Sequence, residues 1–180
     1  MIYSTEELLK LVKKQGLVEN LHERELTAPE GAGFDLRLGE IFEVSGVGYL
    51  GLTERQTPSE KLLASYNPKK VRKISLKPGK LYLVKTIEKI NQPDNIQVLV
   101  KTRTTLARSG ICLLSAFGSP GYRGQFTFGL INLGGLKFTI EMGARFLHIN
   151  FFAIKGRTLV PYRGQWQGGR ISARKKEKQI

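Results

Sequence analysis

Apolar and polar residues alternate with a period of two through most of this chain. Phe34, Leu36 and Leu38 alternate with Asp35 and Arg37 in GAGFDLRLGEIFEV, bounded by Gly31, Gly33 and Gly39. KISLKPGKLYLVKTIEKI, 73–90, reads as strand, Pro-Gly turn, strand. After the turn NQPDN comes IQVLVK, another strand. ICLLSAFG reads as a buried strand, SPGYRG as a tight turn, and QFTFGLIN puts Phe126, Phe128 and Leu130 on one face. LKFTI, a turn at EMGA, and RFLHINFFAI close the series. Short strands at this spacing, with Gly/Pro turns between them, predict an all-β sandwich or barrel.

Two stretches break the alternation. Ser4 and Glu7 form a capping box, with Leu8, Leu9, Leu11 and Val12 as an apolar face, Lys13 and Lys14 at the end and Gly16 to stop it. A short N-terminal helix is expected there. TRTTLARSG, 102–110, fits about one helical turn closed by Gly110. Residues 17–30 read as irregular, and 45–72 as an excursion on the surface.

Composition narrows the picture. The 180 residues, 41% of them apolar, suit one domain with a packed core. A single cysteine, Cys112, excludes an internal disulfide and a Cys-based zinc site. No apolar run is long enough to span a bilayer, and the acidic start MIYSTEELLK lacks a signal-peptide core. A reducing, cytoplasmic setting is the expectation.

The net charge of +14 is unevenly placed. Residues 95–180 hold 14 Lys+Arg against Glu141 and Glu177, a balance of +12, which leaves +2 for residues 1–94. A positive field in that half suits a polyanion such as a triphosphate or, less specifically, nucleic acid.

Candidate chemistry concentrates in the same half. Between Lys101 and Gly134 the chain supplies arginines, threonines and glycines together. Phosphate binding uses that mixture: donors on a rigid element, and glycines that let backbone N–H groups approach. Arg103 and Arg108 add charge-assisted donors to a helix start. Spacing alone reads Asp35 as an exposed strand residue or turn cap ahead of a metal-water ligand. His148, inside an apolar strand with no Cys or His nearby, reads as a satisfied core or interface histidine ahead of a ligand. PYRGQWQGGR cannot pack a core of its own. It reads as an arm, 156–172, closing over a ligand, with Arg163 on phosphate and Trp166 or Tyr162 against a base. Residues 173–180 read as a frayed basic tail on a single domain, 1–172.

Taken together, GFDLRLG, RTTLARSG, SAFGSPGYRGQFTFGLINLG, EMGARFLHINFF and PYRGQWQG resemble, in order and spacing, the dCTP deaminase/dUTPase family. The closest likeness is to its monofunctional archaeal-type dUTPases. The resemblance implies a distorted, jelly-roll-like β-barrel (the dUTPase-like β-clip) and a homotrimer with sites between subunits. It also implies Mg2+ held by substrate phosphates and waters rather than directly by the protein. By position, Arg103, Thr104 and Thr105 would hold phosphate oxygens, and Arg108 would reach the site from a neighbouring subunit. The hairpin from Ala116 to Gly124 would receive the pyrimidine through main-chain groups, with Tyr122 beneath the sugar. Asp35 would order the metal's waters, and the arm Tyr162–Gly168 would cover the triphosphate, Gln167 among its contacts.

Two positions depart from the family's pattern. Deaminating members carry a glutamate where Gly129 stands, as the general base for attack at C4 of cytosine. The family's aspartate before the Pro-Gly of the hairpin, which orients the attacking water, is Ser119 here. Gly129 favours dUTP over dCTP chemistry, and Ser119 is a poor base. The leading expectation is therefore dUTP hydrolysis to dUMP and pyrophosphate, with Asp35, Arg108 and Ser119 as the catalytic group. A deoxynucleotide-binding paralogue without turnover is the alternative; dCTP deamination and non-specific nucleic-acid binding come after it.

Overall fold

A computed structural model describes residues 1–114 and 117–179. In chain order the elements are α1 (Thr5–Gln15), β1 (Val18–Glu19), α2 (Glu23–Thr27), β2 (Phe34–Ser45), β3 (Tyr49–Leu50), β4 (Glu54–Gln56), β5 (Ser59–Ser65), β6 (Lys73–Leu76), β7 (Leu81–Asn91) and β8 (Ile96–Thr102). They continue with α3 (Thr104–Arg108), β9 (Ile111–Leu114), β10 (Phe117–Gly118), β11 (Arg123–Asn132), β12 (Phe138–Glu141), β13 (Arg145–Ala153) and β14 (Glu177–Lys178). The protein is mostly β, as the alternation predicts.

The nine-stranded sheet runs β10-β8-β13-β2-β7-β11-β9, with β1 on β7 and β5 on β2. It curls because β2 serves two partners. Residues 34–37 pair with β13, and the following residues pair with β7. The switch falls at Gly39, where the register with β7 slips between Leu38 and Glu40. A Cβ on Gly39 would stand 2.9 Å from the Thr86 carbonyl oxygen, so only glycine allows this approach. The curl encloses a core that includes Phe34, Leu36, Leu38, Phe146 and Phe151, all fully buried. α1 begins and ends as its sequence dictates: Ser4 and Glu7 form the reciprocal capping box, and Gly16 takes φ 64 at the C-terminus.

Several local expectations change in three dimensions. The strand, Pro-Gly turn and strand expected over 73–90 are present as β6 and β7, but the two do not pair with each other: β6 pairs with β12 and β7 lies in the large sheet. The strand expected over 111–118 is divided, since β9 pairs with β11 while β10 pairs with β8. Residues 17–30 are ordered by β1 and by α2, whose Glu25 is 1% exposed. The 45–72 excursion contributes β5 to the main sheet, and its β3 and β4 join β14 in a small sheet of their own.

That small sheet also accounts for the C-terminus, which is not frayed. β14 pairs with β4, the Ala173 N–H donates to Thr57 Oγ1 at 2.7 Å, and the Thr57 N–H donates to the Ala173 carbonyl at 3.1 Å. Arg174 and the Ser172 hydroxyl both bond the Glu60 carboxylate. Acidic residues scattered through 54–60 give the basic end a counter-surface that no local pattern reveals.

Candidate functional site

Two clefts carry most of the residues singled out above, and no residue lines both.

The first, about 390 Å³, opens where β8 runs into α3. Lys101, Arg103, Thr104, Thr105, His148 and Asp35 line it. Arg103 is the N-cap of α3, and its own N–H donates to the Phe146 carbonyl at 3.1 Å. The N–H groups of Thr104 and Thr105 have no acceptor among the described residues and stand at a helix start.

Asp35 is the hub of this cleft, not an exposed strand residue. It is 7% exposed, because both faces of β2 are covered there. Its Oδ2 accepts from Arg103 Nη1 and, at 3.1 Å, from Arg145 Nη1; its Oδ1 lies 2.9 Å from His148 Nδ1. Its backbone N–H donates to Glu25 Oε2 at 3.0 Å, and Glu25 Oε1 pairs with Arg24 at 2.7 Å. Four fixed cations (Arg24, Lys101, Arg103, Arg145) thus meet three carboxylates (Glu25, Glu30, Asp35), a surplus of one positive charge.

Burial and the nearby Lys101 push the His148 imidazole below its ordinary pKa. It is therefore neutral near pH 7, and its Nδ1–H donates to Asp35. The satisfied-histidine reading thus holds, but at the cleft wall. Burial, with Arg145 and Arg24 close by, lowers the Arg103 guanidinium from its ordinary value; it remains a cation.

Among the described residues no group of three His, Cys, Asp or Glu side chains is arranged to hold a metal ion. With both Asp35 oxygens already engaged, the side chains here do not fit a divalent ion by themselves. They fit one that brings its own oxygen ligands.

The second cleft, about 480 Å³, opens over the 119–122 turn. Pro120 followed by Gly121 at φ 87 is the type II pattern, and the Tyr122 N–H closes it on the Ser119 carbonyl at 3.1 Å. Tyr122 is buried beneath the turn. Its ring stacks on Phe126 with centroids 5.0 Å apart, and its hydroxyl donates to the Gln125 carbonyl at 2.5 Å. Burial and the neighbouring Tyr162 push its pKa up to about 12, so the phenol stays protonated. Ser119 is exposed at the cleft. Gly129 pairs with Leu83 and Leu114, and a Cβ there would meet Leu114 Cβ at 3.0 Å. No carboxylate stands among the residues that line this cleft. Ala116 lies outside the described residues.

The arm packs on the hairpin of its own chain. The Tyr162 N–H donates to the Pro120 carbonyl at 2.7 Å and the Gly168 N–H to the Arg123 carbonyl at 2.8 Å. Gln167 accepts from the Arg123 N–H at 2.7 Å and donates to the Gly121 carbonyl at 3.0 Å. Gly124, at φ 140, permits this: a Cβ there would stand 2.6 Å from the carbonyl carbon of Gly168. Two guanidiniums lie over the Trp166 ring, Arg55 at 5.0 Å and Arg170 at 5.8 Å from its centroid. Arg163 and Arg108 are exposed, each outside both lining sets.

The structure thus brings Asp35, Arg103, Thr104 and Thr105 together, and separately Ser119, Tyr122 and Trp166. Sequence reasoning missed Arg145, Arg24 and Glu25. Arg145 lay inside a quoted motif without a role, and Glu25 in a stretch read as irregular.

A curled, mostly β body thus carries a cationic cleft at one end of β8 and a turn-built cleft at the other. A family model described as dCTP deaminase-like matches residues 2–154. The chain belongs to that family. It is 31% identical over 169 residues to a dCTP deaminase of Pyrococcus furiosus, covering 94% of this chain and 96% of that one. It is also 34% identical over 143 residues to a probable deoxyuridine 5'-triphosphate nucleotidohydrolase of Methanothermobacter thermautotrophicus, covering 79% and 89%. Among solved structures, the dCTP deaminase of Agrobacterium tumefaciens superposes with a TM-score of 0.63 at 15% identity. That superposition covers 83% of this chain and 46% of the other, so this chain spans about half of that protein. No helix among the described residues is long and apolar enough to cross a membrane.

Proposed function

We propose that this protein binds a pyrimidine deoxyribonucleoside triphosphate, dUTP in preference to dCTP, and hydrolyses it slowly to dUMP and pyrophosphate. The observation that carries the reading is the absence of any carboxylate among the described residues that line the turn-built cleft. Deamination needs a group that takes a proton from water and returns it to the base; with Gly129 beside Leu114, nothing there does so. What the chain retains is phosphate chemistry: Arg103, the free amides of Thr104 and Thr105, and Arg145 close behind.

The distance between the clefts bears on assembly. Val98, which pairs with Gly118, and Arg103 are five residues apart along β8, about 17 Å of extended chain. A homotrimer would bring the phosphate cleft of one protomer up to the hairpin of the next, with Arg108 and Arg163 free to reach into the joint. Mg2+ would be held by the phosphate oxygens, and Asp35 would act on it only through water.

Ser119 makes the hydrolysis slow, since general-base assistance is worth roughly 10²–10⁴-fold. A second reading, binding without turnover, is favoured by Asp35, whose two oxygens are already committed to Arg103, Arg145 and His148. Calorimetry with dUTP, dCTP and dTTP in Mg2+, alongside product analysis, tests both. Binding of dUTP with slow release of dUMP is expected, and no ammonia from dCTP. Binding without dUMP selects the second reading; ammonia from dCTP, or no binding of dUTP, overturns the proposal.

A further inference from the structure

Gln92 occupies the turn between β7 and β8 and is 1% exposed. Its side-chain Nε2 donates to two carbonyls, Ile96 at 2.6 Å and Gly118 at 2.9 Å. Its backbone N–H donates to the Tyr122 carbonyl at 2.9 Å, and its carbonyl accepts from the Gly121 N–H at 3.2 Å. Gln97 Nε2 also donates to the Gly118 carbonyl, at 2.9 Å. One buried residue therefore holds Gly118, Gly121 and Tyr122, and Gly118 and Tyr122 line the turn-built cleft together with Ser119.

The chemistry of this clamp is specific to an amide. Two carbonyl acceptors need two hydrogens on one nitrogen, which glutamine has and which leucine and ionised glutamate lack. The same orientation leaves Gln92 Oε1 buried without a donor among the described residues. That oxygen faces Gly118, where a Cβ would stand 3.0 Å from it and 2.6 Å from the side chains of Phe126 and Val98. Glycine at 118 is what lets the clamp close.

We infer that Gln92 is a positioning residue for the nucleoside end of the ligand. It fixes the main-chain groups of the Gly118–Tyr122 segment and so sets affinity for the nucleoside without acting on the phosphate cleft at the far end of β8. The inference rests on the nucleotide-binding reading given above.

The test uses the full chain and two probes, Mg2+-dUTP and inorganic tripolyphosphate, by calorimetry. Gln92→Leu is expected to weaken dUTP binding about tenfold and to leave tripolyphosphate within about twofold. Unchanged dUTP affinity overturns the inference, as does equal weakening of both probes, which marks a general loss of structure. Gln92→Glu keeps the shape. Ionised, it sets a carboxylate against two carbonyls; protonated, it regains one donor, and burial raises the pKa at which it does so. Its dUTP affinity relative to the native protein should recover between about pH 8 and about pH 6, where that of Gln92→Leu stays flat. A flat profile for Gln92→Glu also overturns the inference. If the native protein binds tripolyphosphate but not dUTP, the nucleotide reading itself falls and this inference with it, an outcome distinct from native binding that Gln92→Leu leaves intact.

Discussion

The two clefts at the ends of β8 are built on opposite plans. The cleft at Arg103 gathers polar and charged side chains from β2, β8, β13 and the start of α3, and Asp35 alone engages Arg103, Arg145 and His148. The cleft at Ser119 is made of a turn, an arm and an excursion; its walls are largely apolar and its bonds are main-chain. Under the function proposed above, the contrast would separate two tasks. A pre-paired charge cluster would exchange one anion for another, an internal carboxylate for a phosphate, and a turn whose amides and carbonyls are clamped from behind would read the edge of a neutral base.

Substitutions in each cleft should therefore fail in different ways. The largest effect is expected at Asp35. Asp35→Ala leaves Arg103 without its ion partner and Arg145 with only the Glu25 carboxylate, 3.7 Å away, and removing one partner of a buried ion cluster costs about 3 kcal/mol. Urea unfolding should show that loss; a change below about 1 kcal/mol would mean that the cluster is not the electrostatic hub of the fold.

Next in size, Ser119→Asp should raise dUTP hydrolysis on the order of 10²-fold, by restoring a base at the turn. A flat rate would place the attacking water elsewhere and remove the division of labour between the clefts. Gly124→Ala forces a Cβ against the backbone of Gly168 at a φ of 140, a strain of about 1–2 kcal/mol, and should release the arm. Limited proteolysis within 156–170 reads this directly, and resistance equal to the native protein would sink it. Trp166→Ala removes a ring that two guanidiniums contact and should loosen the same arm by about 1 kcal/mol, again visible as faster cleavage but without unfolding of the body.

The smallest effect concerns pH at the charged cleft. His148 has a folded pKa below its unfolded value near 6.5. The unfolded chain therefore takes up the proton first as pH falls. The stability that neutral His148 contributes is present above about 6.5 and is lost as pH drops from there toward the folded pKa. Glu88, raised by burial, acts in the other direction: its contribution is present below 4.5 and lost as pH rises through its folded pKa. Comparing native protein with His148→Gln isolates the first slope, and identical profiles would show that His148 is not the titrating group.

Much of this arrangement was legible in one dimension. The period-two pattern identified most of the main strands. Ser4, Glu7 and Gly16 set the ends of α1, and the break at TRTTLARSG located α3 with Arg103 at its start. Those features depend on neighbours within a few residues, where spacing and backbone conformation carry the information. The weight placed on Gly129 and Ser119, by contrast, rests on the resemblance to the family, whose acids those two positions would otherwise hold.

Other features needed the folded chain, because they depend on contacts between residues far apart in sequence. Asp35 looked like a solvent-facing strand position until β13 and α2 covered it. His148 and Arg145, more than a hundred positions later, gave it partners. The basic end looked loose until Glu54 and Glu60 of the excursion met it. Gln92, a turn residue with no motif to mark it, became the clamp behind Gly118 only when β8 and β10 paired. Sequence by itself determined the strands, the caps and the inventory of groups able or unable to do chemistry. Tertiary structure decided which charges neutralise one another and which polar atoms are buried, since desolvation and pairing are properties of the packed chain rather than of its order.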